Sequence, residues 1–288
     1  MVTVGLNVAN FGSGGDPRAI RDTILRAEAS GFDLAMVSDH VAVTADVDAA
    51  YPTPFLEAFT LLSWAAGITG SIALGTTVTI LPYRHPLLVA AMTDTIERLS
   101  GRRFVLGVGA GWAQQEYRAL GICHTERGQI TEDFLAALAA QRNGCDHDGP
   151  YASFTDVRSG RFSADVWVGG NSRAAASRAA RYAQAWHPLD ITADRLHDLD
   201  APARFGAGGP TTLAPRVKLR VTSRPVAAPG RLLGHGTWDQ IETDLRDLVS
   251  LGASHVVLDP DVPAVRAGVD PWPWLERGAD TLRTAGCA

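Results

Sequence analysis

The sequence predicts an α/β protein, a (β/α)8 TIM barrel with short insertions. Three observations carry this expectation. Short apolar runs alternate with helical patterns along the whole chain, and that alternation builds a parallel sheet. Eight such runs within 288 residues favour a closed barrel, which takes roughly 250 residues, over an open doubly wound sheet. Several runs stop at glycine or polar residues, where such barrels gather their chemistry. No linker or low-complexity segment divides the chain, so one domain over residues 1–288 is expected.

The elements follow in order. Val2 to Val8 is a first strand. Asp16 caps a helix that Pro17 opens, with Ile20, Ile24, Leu25 and Ala27 as its apolar face and Gly31 as its end. Leu34 to Val37 is the second strand and runs into Ser38-Asp39-His40. Helix is expected over Pro54 to Ala66, strand over Ile72 to Ile80, helix over Pro86 to Leu99 and strand over Phe104 to Val108. Glu126 to Arg142 is helical, with Ile130, Phe134, Leu135 and Leu138 at helical spacing. Asn143 to Gly160 reads as a small hairpin around Tyr151, Phe154 and Val157. Asp165 to Val168 is a fifth strand, followed by helix from Arg173 to Tyr182 and a short sixth strand from Ala185 to His187. Pro202 to Pro215 is rich in Gly, Pro and Thr and is expected to be a loop. Val217 to Val226 is strand, Thr237 caps helix from Trp238 to Leu251, His255 to Leu258 is the eighth strand, and Pro271 to Thr284 is the last helix.

Composition narrows the function. A net charge of −5 without a Lys/Arg block gives no sign of nucleic acid or an anionic membrane as partner. Cys123, Cys145 and Cys287 form neither a disulfide framework nor a zinc pattern, which points to a reducing cytoplasm. No signal peptide is recognisable at the start. Ala58 to Tyr83 lacks any charge, but Gly67, Gly70, Gly75 and Pro82 interrupt it, so a helix, a turn and a buried strand explain it better than a membrane span.

Four strand ends carry candidate residues. His40 is the best proton-transfer group, because imidazole titrates nearest neutrality; Asp39 beside it orients a partner or accepts a hydrogen bond. The third strand offers Thr76, Thr77 and Val78, followed by His85 as a weaker candidate. The fourth ends in Gly107, Gly109 and Gly111, which either admit a flat or anionic ligand or only make a tight turn. It is not the dinucleotide fingerprint, since Trp112 stands where a third glycine would fall. Trp112 either stacks on a planar ring or plugs the barrel mouth. Glu116 is either a substrate-facing acid or an exposed helix carboxylate. Gly169, Gly170, Asn171 and Ser172 open a helix, where free N–H groups and the dipole favour a phosphate; helix capping by Asn171 or Ser172 uses the same chemistry. No set of metal ligands stands out.

These strand ends, in this order, resemble the bacterial-luciferase-like superfamily of flavin- and deazaflavin-dependent oxidoreductases. The stretches that carry the resemblance are Phe32-Asp-Leu-Ala-Met-Val-Ser-Asp-His40, Leu74-Gly-Thr-Thr-Val78, Pro82-Tyr-Arg-His-Pro86, Leu99-Ser-Gly-Arg-Arg-Phe-Val-Leu-Gly-Val-Gly-Ala-Gly-Trp112 with Glu116, and Val168-Gly-Gly-Asn-Ser172. Gly236-Thr237 and Leu251-Gly-Ala-Ser-His-Val-Val-Leu-Asp259 match the last helix–strand unit. The resemblance implies a luciferase-like barrel with a planar tricyclic cofactor in its mouth. Ser38-Asp39-His40 looks like the coenzyme F420 branch, with Asp39 at the ring edge and His40 near the reactive carbon. Thr77–Val78 aligns with a bulge that often carries a cis peptide behind the ring. Gly107, Gly109 and Gly169 to Ser172 align with segments that hold the cofactor tail. The sugar-phosphate dehydrogenases of that branch have an acid in place of Trp112 and a tryptophan in the loop that here reads Val41-Ala-Val-Thr-Ala-Asp46, so a sugar phosphate is a poor expectation.

The expectation is thus an F420-dependent oxidoreductase acting on a small organic substrate, cytoplasmic and homodimeric. An FMN-dependent monooxygenase is the alternative. A metal-dependent hydrolase or isomerase of a phosphorylated compound and a non-catalytic cofactor carrier are the readings from other classes.

Overall fold

The computed structural model describes residues 2–204, 211–227, 229–260 and 268–286. Its strands and helices alternate as the pattern predicts. In chain order they are β1 (Thr3–Val8), α1 (Pro17–Ala29), β2 (Leu34–Val37), α2 (Ala45–Ala50), α3 (Ala58–Ile68), β3 (Ala73–Thr76), β4 (Thr79–Ile80), α4 (Pro86–Ser100), β5 (Phe104–Gly109), α5 (Gln114–Ala119), α6 (Arg127–Asn143), β6 (His147–Asp148) and β7 (Ser153–Phe154). They continue with β8 (Asp165–Gly169), α7 (Arg173–Tyr182), β9 (Ala185–His187), α8 (Ala193–Arg204), β10 (Thr212–Leu213), β11 (Arg216–Val221), β12 (His235–Gly236), α9 (Trp238–Ser250), β13 (His255–Pro260) and α10 (Trp272–Ala285). The fold is α/β with a parallel main sheet, as expected.

The residues fall into two compact units. The first comprises residues 1–8, 26–36 and 167–288, within the described positions. There β1 pairs parallel with β13, β13 with β11, and β11 with β12; β8 pairs with β9 and β9 with β10. Helix α9 buries Trp238, Ile241, Leu245 and Leu248, and α10 buries Trp272, Leu275, Ala279 and Leu282. That spacing puts each set on one helical face, and each fully buried Leu contributes about 1.5–3 kcal/mol. Helix α7 instead buries only alanines, 175, 176, 179 and 180.

The second unit comprises residues 9–25 and 37–166. Both β3 and β4 pair parallel with β5. Helix α6 buries Ile130, Phe134, Leu135 and Leu138, the residues its periodicity singles out. The hairpin expected within 143–160 is present as antiparallel β6 and β7, pinned by Asp133, which accepts the Tyr151 and Ala152 amides at 3.0 and 2.9 Å. Helix α1 starts as expected, with Asp16 Oδ1 accepting the Arg18 and Ala19 amides.

Four local expectations are corrected. The second long helix begins at Ala58 rather than Pro54: Glu57 is its cap and accepts the Thr60 amide, and Thr53–Pro54 is a cis peptide. The strand expected over Ile72 to Ile80 is not continuous but breaks into β3 and β4, at the Thr77–Val78 peptide that is cis as the family resemblance implies. Helix α2 forms in a stretch read only as loop, where Asp46 and Asp48 favour a first helical turn. The Gly/Pro-rich stretch 202–215 is not all loop, because α8 runs to Arg204 and β10 pairs at Thr212; residues 205–210 of that stretch lie outside the described residues, as does Cys287.

Candidate active site

In the second unit the exit of β2 delivers Ser38, Asp39 and His40, all buried. Alternation along extended backbone sends neighbouring side chains different ways, and here they meet different partners. Asp39 goes to Arg84, in the turn before α4: Oδ2 accepts Nη1 at 2.7 Å and Oδ1 accepts Nη2 at 2.9 Å. Asp39 Oδ2 also accepts the Ile80 amide at 2.9 Å, and Arg84 makes a second ion pair with Glu57 Oε1 at 2.8 Å. A buried, bidentate pair of this kind braces the exits of β2 and β4 against each other.

His40 goes to Glu116. Its Nδ1 lies 2.6 Å from Glu116 Oε2, and the Glu116 side chain is wholly buried. Glu116 Oε1 accepts the amides of Val41 and Ala42 at 2.7 and 3.0 Å, and Oε2 accepts the Tyr83 hydroxyl at 3.1 Å. Burial by itself would raise the carboxyl's pKa. The hydrogen bonds from His40 and from the Ala42 and Val41 amides outweigh it and hold the group below its ordinary 4.5. Burial and the adjacent Glu116 charge hold the Tyr83 phenol far above its ordinary range, so it remains a donor. The sequence left Glu116 open between substrate acid and exposed surface carboxylate. It is neither exposed nor on the surface; its charge is committed to His40.

A carboxylate at Nδ1 fixes the imidazole's orientation and tautomer, placing the lone pair of the neutral ring on Nε2. Among the described residues no hydrogen bond reaches Nε2. Rings wall the imidazole instead: Tyr51 at 5.5 Å, Phe55 at 5.3 Å and Trp112 at 5.9 Å between centroids. The first turn of α2 is also clipped to α5, since Asp46 Oδ2 accepts the Gln115 amide at 3.1 Å.

The third and fourth strand ends meet in the same unit. Thr76 donates through Oγ1 to the Gly107 carbonyl at 2.7 Å. A Cβ at Gly107 would sit 2.0 Å from the Thr76 carbonyl oxygen, and one at Gly109 would sit 2.7 Å from Val78 Cγ2. These two glycines are therefore demanded by the close approach of the strands at the cis Thr77–Val78 bulge. Gly111 has a φ of +67° and leads into Trp112, which is 48% exposed. His85 is exposed and caps α4, its Nδ1 accepting the Leu87 amide at 3.3 Å.

The remaining candidates lie in the first unit. Ser172 caps α7, its Oγ accepting the Ala175 amide at 3.1 Å. Asn171 ties the adjoining loop: Nδ2 donates to the Leu189 and Asp190 carbonyls, and Oδ1 accepts the Leu189 amide. Gly170, at a φ of +121°, accepts the Trp186 indole N–H at 2.9 Å. The capping reading therefore holds for Ser172, and its neighbours shape an exposed helix N-terminus.

Sequence reasoning missed Arg84, Glu57 and Tyr83 as parts of the site. Arg84 and Tyr83 lie inside the quoted Pro82–Pro86 stretch, and the signal was there: Arg84 is the first cation after Arg26.

Known proteins are similar to this chain in family and fold. A family model described as luciferase-like monooxygenase matches residues 2–228. An uncharacterised protein of Mycobacterium tuberculosis is 28% identical over 178 residues, 56% of this chain and 61% of that protein, so the chain spans under two thirds of this relative. Among solved structures, an F420-dependent secondary alcohol dehydrogenase in complex with an F420–acetone adduct is similar at a TM-score of 0.70 and 16% identity, covering 92% of this chain and 96% of the other. The oxygenating constituent of 3,6-diketocamphane monooxygenase from Pseudomonas putida, in complex with FMN, is similar at 0.67 and 17%, covering 96% and 95%. At such identities the likeness shows the fold.

Proposed function

The chain belongs to the luciferase-like monooxygenase family, and from that premise we propose that it is an oxidoreductase using coenzyme F420 for hydride transfer to or from a small organic substrate. The observation that carries the reading is the buried His40–Glu116 pair at a strand exit, with Nε2 left without a hydrogen bond. When bound, the deazaflavin supplies the hydride chemistry.

The residues present fit such a group in two respects. Ser38 Oγ, two residues before His40, is a buried hydroxyl without a hydrogen-bond partner among the described residues. The N-terminus of α7 presents exposed Gly170 and Ser172, suited to a phosphate. In this reading His40 Nε2 takes a proton from a substrate hydroxyl, or returns one to a carbonyl. Glu116 steadies the imidazolium so formed, and Tyr83 with the Val41 and Ala42 amides keeps Glu116 in place. Asp39 braces the loop through Arg84 and meets the ring edge. Thr76 to Val78 and Gly107 to Gly111 shape the wall behind the ring, and Gly169 to Ser172 anchor the tail. The reading includes one catalytic domain over residues 1–288, acting in the cytoplasm as a homodimer.

FMN is the second reading, favoured by the FMN-bound monooxygenase among the similar folds. Among the described residues no cluster of His, Cys, Asp and Glu suited to a metal occurs. Titrating the pure protein with F420 and with FMN decides. Saturable binding of F420 at about micromolar concentration, tighter than FMN, is the expected result. Tighter FMN moves the assignment to monooxygenation, and no binding of either at tens of micromolar, well inside the usual KM range, overturns both.

A further inference from the structure

Among the described residues Glu116 receives four hydrogen bonds, two on each oxygen. Oε1 takes the backbone amides of Val41 and Ala42, at 2.7 and 3.0 Å. Oε2 takes two side chains, His40 through Nδ1 at 2.6 Å and Tyr83 through its hydroxyl at 3.1 Å. Tyr83 thus helps to hold the carboxylate, and its choice of oxygen gives it a second effect, since it draws on the same atom that faces the imidazole. The phenol stays a donor, because burial and the Glu116 charge hold it far above its ordinary range. Its ring is placed by more than the hydroxyl. It packs edge-on against Tyr117, 4.8 Å between centroids at 69°. Tyr117 is fully buried and donates its own hydroxyl to the Ala110 carbonyl.

Two donors on one anionic oxygen compete. Each brings partial positive charge that offsets part of the negative charge attracting the other, and a buried setting screens little of this. We propose that Tyr83 is a positioning residue acting through Glu116 Oε2: its hydroxyl weakens the carboxylate's hold on the His40 Nδ1–H, so that an imidazolium formed at Nε2 gives its proton back more readily. The inference rests on the reading of His40 as the proton-transfer group and adds the group that sets its strength. Without the Tyr83 hydroxyl, the imidazolium is held more tightly, so proton uptake at Nε2 gains and proton return slows.

Heteronuclear proton NMR of the isotope-labelled full-length protein reads this bond with neither cofactor nor substrate present. A ring N–H bonded to a buried carboxylate makes a strong, charge-assisted hydrogen bond and resonates far downfield, the further the stronger the bond. The wild-type spectrum is expected to show such a resonance, and H40A to lack it. In Y83F it moves downfield, while the Val41 and Ala42 amide resonances, which report Oε1, stay at their wild-type positions. Y117F removes the neighbouring phenol, which does not bond Glu116, and leaves the resonance in place. Wild-type chain made with fluorotyrosine, whose phenols are stronger donors, moves it upfield, and this arm carries the test should Y83F fail to fold. A resonance that stays put in folded Y83F, or that does not move upfield in the fluorinated protein, overturns the proposal. So does a Y83F spectrum matching that of E116Q, which would make Tyr83 an anchor of the carboxylate alone, and so does a wild-type spectrum without the resonance. Failure of both F420 and FMN to bind sinks the oxidoreductase reading and leaves these spectra, and the competition at Oε2 that they report, unchanged.

Discussion

Two buried histidines at strand ends, His40 after β2 and His187 at the end of β9, are 5% and 2% exposed. Both are bonded through Nδ1, yet the partners differ. His187 donates to the Ala214 carbonyl, and His40 faces the Glu116 carboxylate. Burial with a neutral acceptor penalises the imidazolium; burial, helped by the nearby charges of Arg216 and His255, lowers the His187 pKa to about 4 from 6.5 despite the carbonyl bond. A buried carboxylate instead gives the imidazolium a counter-charge. At similar burial, His187 is held against a neutral carbonyl and His40 against a carboxylate, the contrast on which the proposed role of His40 rests. The carboxylate that His40 meets is contributed 76 residues away.

The sharpest way to break this comparison is at the His40–Glu116 pair, proposed above to move the proton. H40A is expected to lower kcat by about a hundredfold to ten-thousandfold, the range for a positioned acid/base, with cofactor affinity retained. E116Q lowers it by about a hundredfold. An H40A protein as active as wild type would remove His40 from the chemistry, while one that binds cofactor with no turnover of any substrate in either form would make the protein a carrier.

The brace beside the pair comes next. Arg84→Ala leaves Asp39 charged and unpaired at a fully buried position, so unfolding in urea should show a loss of about 3–5 kcal/mol. Arg84→Lys should recover only part of it, because an ammonium cannot reproduce the two-pronged bond.

Acid stability reads His187 and Glu116 in separate windows. The folded-state pKa of His187 lies below its unfolded value, so the unfolded chain binds a proton first as pH falls. Stability then drops between pH 6.5 and about 4, with a slope reaching about 1.4 kcal/mol per pH unit. H187Q should flatten the curve in that window. Glu116 acts lower: its folded pKa lies below 4.5, so the stability it contributes is present above that value and lost as pH falls through the folded pKa. Denaturant midpoints measured across pH for wild type, H187Q and E116Q read both windows.

The smallest effect is at the capped helix of the first unit. Ser172→Ala removes the α7 cap and should cost about 1 kcal/mol in urea unfolding. If Ser172 also holds a phosphate, F420 affinity falls in the same variant; an unchanged affinity limits the residue to its capping role.

The strand–helix alternation, the caps at Asp16 and Ser172 and the apolar faces of α1 and α6 are properties of local sequence. Periodicity and capping chemistry act over a few residues, so they could be read directly. So could the candidacy of His40 and the charge-free stretch from Ala58 to Tyr83. The commitment of Asp39 to Arg84, the burial of Glu116 and the need for glycine at 107 and 109 could not. Each depends on which atoms arrive from distant elements: Arg84 from the turn before α4, Glu116 from α5, and the Thr76 carbonyl from β3. A carboxylate's role is set by the partner it meets and the water it loses. Both are decided by packing across tens of residues, which no local pattern encodes.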